Sequence, residues 1–483
     1  MSSSPPPSAR FAIVGGGVTG LAAAYRLTQL LPQSRIELFE ASDRLGGVLH
    51  THHRGKLLIE RGADSFIDKS PWAVDLCREL GLEDQLIPTN AAHRRALVVR
   101  AGRLHPVPEG FVVIRPHRLW PLLKTPLLSW RGKLRLLLEP WIPCPKKAER
   151  EEHDESVASF ATRRLGREVF ERLVQPLLAG IYTADPYQLS LAATMPEVLA
   201  AEREHGSLYR AAVKQAAHSD KATSSEEAAS GARYASFITP RGGLSQLVET
   251  LASHLPADQI HLNCPTQRIE RTVDSRWNLH STTGETCGAF QGVIVATPAP
   301  RAAELLAAVD PELSELLGQI PYASSAVVSL SFQRDQIADP LNGFGLVVPT
   351  VENRPLVAVS FSSVKFAGRA PLDQLLVRVF LGGALHPEQV SLSDDALQEI
   401  AVGELRELVG LRGEPLEVDI VRWHEKMPQY HVGHVQLVEE IENRVAQQHG
   451  LKLAGNAYHG VGIPQCIHSA DLAARRLSME VEA

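Results

Sequence analysis

The chain has 483 residues, 44% hydrophobic and 22% charged, with a formal net charge of −6. This balance excludes a disordered or fibrous chain, leaves room for two or three domains around a large core, and offers no general attraction for nucleic acid. The five cysteines, Cys77, Cys144, Cys264, Cys287 and Cys466, are scattered and contain no C-x-x-C, which argues against a disulfide framework or zinc site and for free thiols in a reducing, cytoplasmic setting.

The opening stretch MSSSPPPSAR is polar and proline-rich and reads as a lead-in with no apolar signal-peptide core. Residues 11–14 form an apolar run ending on Gly15-Gly16-Gly17-Val18-Thr19-Gly20, a G-x-G-x-x-G that opens a helix. Gly15 allows the tight turn, Gly17 lets bare backbone approach a pyrophosphate, and Gly20 lets helix and strand touch. Unpaired N–H groups and the positive end of the helix dipole then favour the phosphates. A second strand over 35–39 delivers Glu40, placed to accept the ribose hydroxyls of an adenosine and to repel a 2′-phosphate. Strand, glycines, helix, strand and acid in this order predict a dinucleotide site in a Rossmann-like α/β domain.

Beyond Glu40, the chain places Arg44 and the side-chain-free Gly46 and Gly47. This E-x-x-x-R-x-G-G pattern resembles the FAD-binding amine oxidase superfamily, and the resemblance implies FAD. Gly62-Ala63-Asp64 suits a loop against an isoalloxazine ring. A helix is expected over 72–80 and a hairpin over 94–108, turning at Ala101-Gly102. His50, His52 and His53 alternate on a strand beside no carboxylate and read as solvated, so no metal site is expected.

From 111 to 138, Arg115, Arg118, Lys124, Arg131, Lys133 and Arg135 interleave with Trp120, Trp130 and several leucines, with no acidic residue. Two readings fit: short helices lying at a membrane surface, or a helical subdomain packing its apolar faces inward. No run of about 18 apolar residues marks a transmembrane helix. An amphipathic helical pair over 155–180 breaks near Gly166 and leads to a turn at 181–186. The Ala-, Ser-, Glu- and Lys-rich stretch within 206–235 reads as a flexible linker. Strands are expected over 259–262, 266–273, 277–281, 292–298, 324–333, 343–349, 356–362 and 375–382, several alternating, which predicts a mixed sheet in a second domain. A helix over 399–409, a strand over 417–424, a final strand at 451–454 and a helix from 463 to about 477 complete the chain. The turn between the last two, 455–464, aims N–H groups of Gly462 and Ile463 at the cofactor, where they would stabilise the negative charge of a reduced flavin.

At this point the resemblance becomes specific. The segments AGNAYHGVGIPQCIHSADLAARRL, ESVASFATRRLGREVFERLVQPLLAGIYTADPYQLS, FITPRGGLSQL, VIVATPAP, GFGLVVP, FSSVKFAGRAP and RWHEKMPQYHVGH resemble the oxygen-dependent, FAD-containing protoporphyrinogen and coproporphyrinogen III oxidases, in order along nearly the whole chain. The resemblance implies FAD contacts at Gly15, Gly16, Gly17, Val18, Thr19, Gly20, Glu40, Arg44, Gly46, Gly47, Gly62, Ala63, Asp64, Ile269 (through its backbone), Gly455, Val461, Gly462 and Ile463. It implies substrate contacts at Arg95, Gly180, Leu346 and Phe361, although Arg95 also reads as a solvated arginine and Phe361 as core. It further implies six-electron oxidation of a porphyrinogen in haem synthesis, with hydride taken at flavin N5 rather than by a catalytic acid or base, and molecular oxygen as acceptor. Peripheral membrane contact through 111–141, on the inner face, and a homodimer are also expected. Asp64 stands where relatives carry arginine or asparagine, which favours coproporphyrinogen III over protoporphyrinogen IX. Cys466 reads as a buried structural thiol.

The expected architecture is therefore an α/β, amine-oxidase-type fold. Its FAD-binding domain is in three parts, 1–90, 236–300 and 416–483. A helical membrane-facing subdomain spans 91–205, a linker 206–235 and a mixed-sheet substrate domain 301–415. Amine or carotenoid oxidation on the same scaffold and a flavin-free escort-type protein are the rival readings, the latter opposed by the intact Glu40, Arg44 and Gly46-Gly47.

Overall fold

Short apolar runs with no polar alternation are what a parallel sheet covered on both faces requires. In the computed structural model, which describes residues 9–144, 154–219, 236–282 and 284–482, five strands align, the two most central of them, Arg10–Val14 and Gly292–Val295, carrying such runs. The order is Ile260–His261, Arg35–Phe39, Arg10–Val14, Gly292–Val295 and Leu451–Leu453, all parallel. One face is covered by helices Val18–Leu30, Pro71–Glu79, Ser245–Ser253 and Ile463–Glu482, the other by Ala299–Leu306, Pro311–Gly318 and His434–Ala446. The sheet thus gathers strands from three separated stretches of chain. The last three of these helices, and strand Thr286–Phe290, were not anticipated from the sequence.

A second, seven-stranded sheet runs in the order Glu417–Pro428, Tyr322–Gln333, Gln374–Gly382, Ala358–Ser360, Gly345–Val347, Ala96–Arg100 and Arg103–Pro106. Every pairing is antiparallel except that of Gly345–Val347 with Ala96–Arg100, so the sheet is mixed, as expected. It takes in chain from beyond both expected borders. The hairpin at 96–106 pairs with Gly345–Val347 rather than joining the helical subdomain, and Glu417–Pro428 pairs with Tyr322–Gln333 rather than joining the third FAD-binding stretch. One face packs on helix Asp394–Val409, whose start is capped by Ser393. The other faces the helical part and the loop at 61–65.

The helical part is built on Val157–Leu165, which ends at Gly166 (φ +94°), followed by a π-helical turn, Phe170–Val174, and Gln175–Tyr182. This last helix runs on into the stretch expected as a turn and stops at Thr183 in the left-handed region. The basic segment divides its apolar residues between core and surface. Leu122, Leu127, Leu128 and Leu136 are buried in the helical core, while Trp120, Trp130 and Trp141 stand exposed, with Lys124 and Arg131 over the first two rings. Among the described residues no helix is long and apolar enough to cross a membrane. Helix Leu208–Ser219 occupies the first half of the expected linker; residues 220–235 lie outside the described residues.

Candidate active site

The glycine turn has the shape a dinucleotide needs. Gly15 lies at φ +109°, and a side chain there would meet the Ala296 carbonyl oxygen at 2.8 Å; one on Gly20 would meet the Gly15 carbonyl oxygen at 1.9 Å. Gly17 differs, because a Cβ there meets nothing within 4 Å. The space beside it is open, at the start of helix Val18–Leu30, which has no side-chain cap. Val18 and Thr19 are buried behind it. The hydroxyl of Thr297, next to Gly15, is a buried polar group without a hydrogen-bond partner. Open backbone, uncapped N–H groups and an orphan hydroxyl together fit a pyrophosphate.

Glu40 closes the cradle. Its Oε2 accepts the Gly16 N–H at 2.6 Å, and its Oε1 accepts the N–H and hydroxyl of Ser42 at 2.9 and 2.7 Å. A carboxylate has about four acceptor positions, so Oε2 keeps one for a ribose hydroxyl. The next turn folds back on the cradle: Gly46 N–H donates to the Gly16 carbonyl at 2.8 Å. Arg44 donates to the Gly47 carbonyl at 2.6 Å, which fixes its guanidinium beside both glycines. Burial lowers its pKa.

The loop at 61–65 is clamped against the seven-stranded sheet and the short helix Ser362–Lys365 between two of its strands. Arg61 pairs with Asp419, and the Trp423 indole N–H donates to the Arg61 carbonyl at 2.8 Å. Arg378, 1% exposed, donates to the Gly62 carbonyl and lies 3.5 Å from Asp64. Lys365 donates to both Asp64 oxygens at 2.9 and 3.0 Å, and the Ser65 hydroxyl donates to Oδ1 at 2.7 Å. Burial alone would raise the Asp64 pKa; Lys365 and Arg378 outweigh it and hold the carboxyl well below its usual range. Asp64 is therefore a fixed, fully paired anion.

The histidines depart from expectation, because a carboxylate is present. His52 Nδ1 lies 3.2 Å from Asp419. His50 is pushed down to about 4 by burial and then by Arg44 and Arg61, so it is neutral at neutral pH. Of the three, only His53 is exposed. Cys466 is buried beside Thr19, and burial pushes its thiol up to about 11.

On the C-terminal side, Gly455 (φ +139°) and Gly460 (φ +130°) hold conformations that favour glycine, and they bring Val461, Gly462 and Ile463 to the start of helix Ile463–Glu482. Ile269 is buried, its backbone paired with Leu279 beside an irregularity in the ladder.

Of the four expected substrate residues, the structure brings one, Gly180, to the inner face, and leaves Arg95 at an exposed strand start on the Leu97 side. Gly180 faces strand Gly345–Val347, where a Cβ would lie 3.5 Å from Val347. Arg95 precedes strand Ala96–Arg100, exposed, its guanidinium making no hydrogen bond or ion pair among the described residues. The side chains of Leu346 and Phe361 do not reach the Gly180 face either. Side chains alternate along a strand, and Leu346 points with Leu97 into the core under helix Asp394–Val409, where Phe361 also lies, both fully buried. Val347 is the side chain on the Gly180 side. That alternation was visible in the sequence. So was Arg378, a lone cation in the apolar run QLLVRVFLG, a sign of a charge buried against a specific partner.

A family model described as flavin-containing amine oxidoreductase matches residues 18–478. The chain belongs to this family. The dinucleotide cradle makes its flavin FAD. Among curated relatives, coproporphyrinogen III oxidases of Propionibacterium freudenreichii and Bacillus subtilis are 34% and 33% identical, covering 95% and 94% of this chain and 89% and 95% of theirs. Protoporphyrinogen oxidase 2 of Arabidopsis thaliana is 30% identical over 96% of this chain and 93% of its own. Among solved structures, a candidate protoporphyrinogen oxidase from Exiguobacterium sp. 255-15 superposes with a TM-score of 0.85 at 32% identity, covering 99% of this chain and all of that one. Cyclohexylamine oxidase from Brevibacterium oxydans shares the fold at a TM-score of 0.68 and 16% identity, covering 99% of this chain and all of its own.

Proposed function

We propose that this family member is an FAD-dependent porphyrinogen oxidase of haem biosynthesis whose substrate is coproporphyrinogen III. Six hydrogens leave the macrocycle and reduce three molecules of dioxygen to three of hydrogen peroxide. The observation that carries the reading is Arg95. It is a free guanidinium at the start of the strand that runs beside Val347, in a chain whose full-length relatives are named coproporphyrinogen III oxidases.

FAD, when bound, supplies the two-electron acceptor used three times per macrocycle. The chain's own residues bind, orient and exclude water. Arg95 pairs a propionate through two parallel N–H donors. Gly180 lets its helix lie close to Val347, while Leu346 and Phe361 stiffen the strands from behind. Arg378, Lys365 and Asp419 hold residues 61–65, and so fix the cofactor-facing loop relative to the substrate sheet. The paired Asp64 acts as a support for that loop. We also propose that Trp120, Trp130 and Trp141 rest on the inner face of the cytoplasmic membrane, and that the chain forms a homodimer.

The test is aerobic turnover of the purified, FAD-loaded protein with coproporphyrinogen III, following porphyrin fluorescence and hydrogen peroxide. Three peroxides per porphyrin above the enzyme-free rate are expected; a rate equal to autoxidation would refute the proposal.

A further inference from the structure

The turn at 455–462 carries the N–H groups nearest the start of helix Ile463–Glu482, and a tyrosine from another part of the fold holds it at two points. Tyr430, just past the end of strand Glu417–Pro428, is 2% exposed. Its hydroxyl accepts the Gly460 N–H at 2.8 Å and donates to the Asn456 carbonyl at 2.5 Å. One hydroxyl thus spans the turn on both sides of Tyr458. The ring cannot swing away. His434 stacks on it with centroids 4.0 Å apart and planes 13° off parallel, and the His434 Nε2 sits 3.3 Å from the Tyr458 carbonyl. The Tyr430 carbonyl in turn accepts the Ser190 N–H at 2.7 Å, from the loop that follows the helix bearing Gly180. Tyr430 therefore joins the seven-stranded sheet, the helical part and the C-terminal turn at one buried point.

Geometry of this kind matters to a flavin for an electrostatic reason. Negative charge develops around N1 and C2=O on reduction, and fixed N–H dipoles stabilise it in proportion to how well they are held in advance. We propose that Tyr430 is a positioning residue that raises the reduction potential of the bound FAD, by clamping the turn that presents the N–H groups of Val461, Gly462 and Ile463. This rests on the assignment of those three residues to the cofactor and not on the identity of the substrate. The side chain need not touch the flavin; it acts through Gly460 and Asn456.

A natural control sits two residues from Gly460. The hydroxyl of Tyr458 is also buried and has no hydrogen-bond partner among the described residues, so deleting it removes the same atom without releasing the turn. The experiment is a spectroscopic measurement of the two-electron midpoint potential of bound FAD, without substrate, in wild type, Tyr430→Phe and Tyr458→Phe. Tyr430→Phe is expected to lose about tenfold in preference for reduced over oxidised flavin, a fall of about 30 mV for a two-electron couple, with oxidised FAD still bound. Tyr458→Phe is expected to match wild type. An unchanged potential in Tyr430→Phe, or an equal fall in both variants, would overturn the proposal. Should Tyr430→Phe fail to fold, His434→Leu, which removes the stacked ring and keeps the hydroxyl, is expected to give a smaller fall of the same sign; no fall there would overturn it as well. Because no porphyrinogen is present, failure here is distinct from failure of the substrate assignment.

Discussion

Arg95 and His434 are the residues whose roles can be separated most cleanly. Arg95 is exposed and unpaired, so its removal takes nothing from the fold. Arg95→Ala is expected to leave the melting temperature within experimental scatter, since surface substitutions of this kind stay within about 0.5 kcal/mol. It is expected to lower kcat/KM for coproporphyrinogen III by about 10- to 100-fold, the loss of roughly 1.5–3 kcal/mol from a charged hydrogen-bonded pair. Steady-state kinetics beside a thermal melt would check both halves. His434 is the opposite case. Burial, against a smaller opposing effect from the Tyr458 carbonyl, pushes it down to about 4. The unfolded chain therefore binds a proton near pH 6.5 that the folded chain refuses until about pH 4. Its share of stability is complete above about pH 6.5, declines as pH falls toward 4, and amounts to at most about 3 kcal/mol. Urea unfolding across that window should show a smaller slope in His434→Leu than in wild type; an unchanged slope would assign the loss to other groups.

At the scale of elements, the glycine turn makes a sharp prediction because its members fail differently. Gly17→Val puts a side chain where the structure has only space, so the protein should fold and lose FAD, read as colourless protein with a wild-type melt. Gly20→Ala drives a methyl group into the Gly15 carbonyl and should lower the melting temperature itself. The exposed tryptophans belong to short helices whose other faces are already buried. Changing Trp120, Trp130 and Trp141 together to serine is expected to leave stability intact and to abolish sedimentation with anionic vesicles; unchanged sedimentation would place the contact elsewhere. These elements differ in how far the sequence reveals them. The strand, turn, helix and acid of 11–40 are legible because every requirement is local: a bare turn, an uncapped helix start, a carboxylate at a strand end. Helix His434–Ala446 was missed although Val438, Ile441 and Val445 repeat at helical spacing, because it starts at Gly433 with no side-chain cap to announce it. Strand Glu417–Pro428 runs four residues past its expected end because its polar tail, Glu425 and Lys426 included, lies on an outer strand open to solvent. Leu346 and Val347 show the finest limit. A resemblance places a strand at the substrate, but only its pleat says which neighbour faces inward.

At the scale of the whole molecule, a loop and a turn tie the seven-stranded sheet to the dinucleotide-binding part. Residues 61–65 are held by charges from the seven-stranded sheet, and residues 455–462 by a tyrosine from the end of the same sheet. None of these partners is near its target in sequence: Asp64 to Lys365, Gly62 to Arg378 and Gly460 to Tyr430 are pairs that only the fold creates. This is why the glycine turn and its acid are legible in the sequence while the supports of the loop and the C-terminal turn are not. The measurement that tests this account most directly is kcat/KM for coproporphyrinogen III and protoporphyrinogen IX side by side, on FAD-loaded wild type and on Arg95→Ala. A preference for coproporphyrinogen III that shrinks in Arg95→Ala is the predicted result. A yellow protein that accelerates neither oxidation above the enzyme-free rate would contradict it.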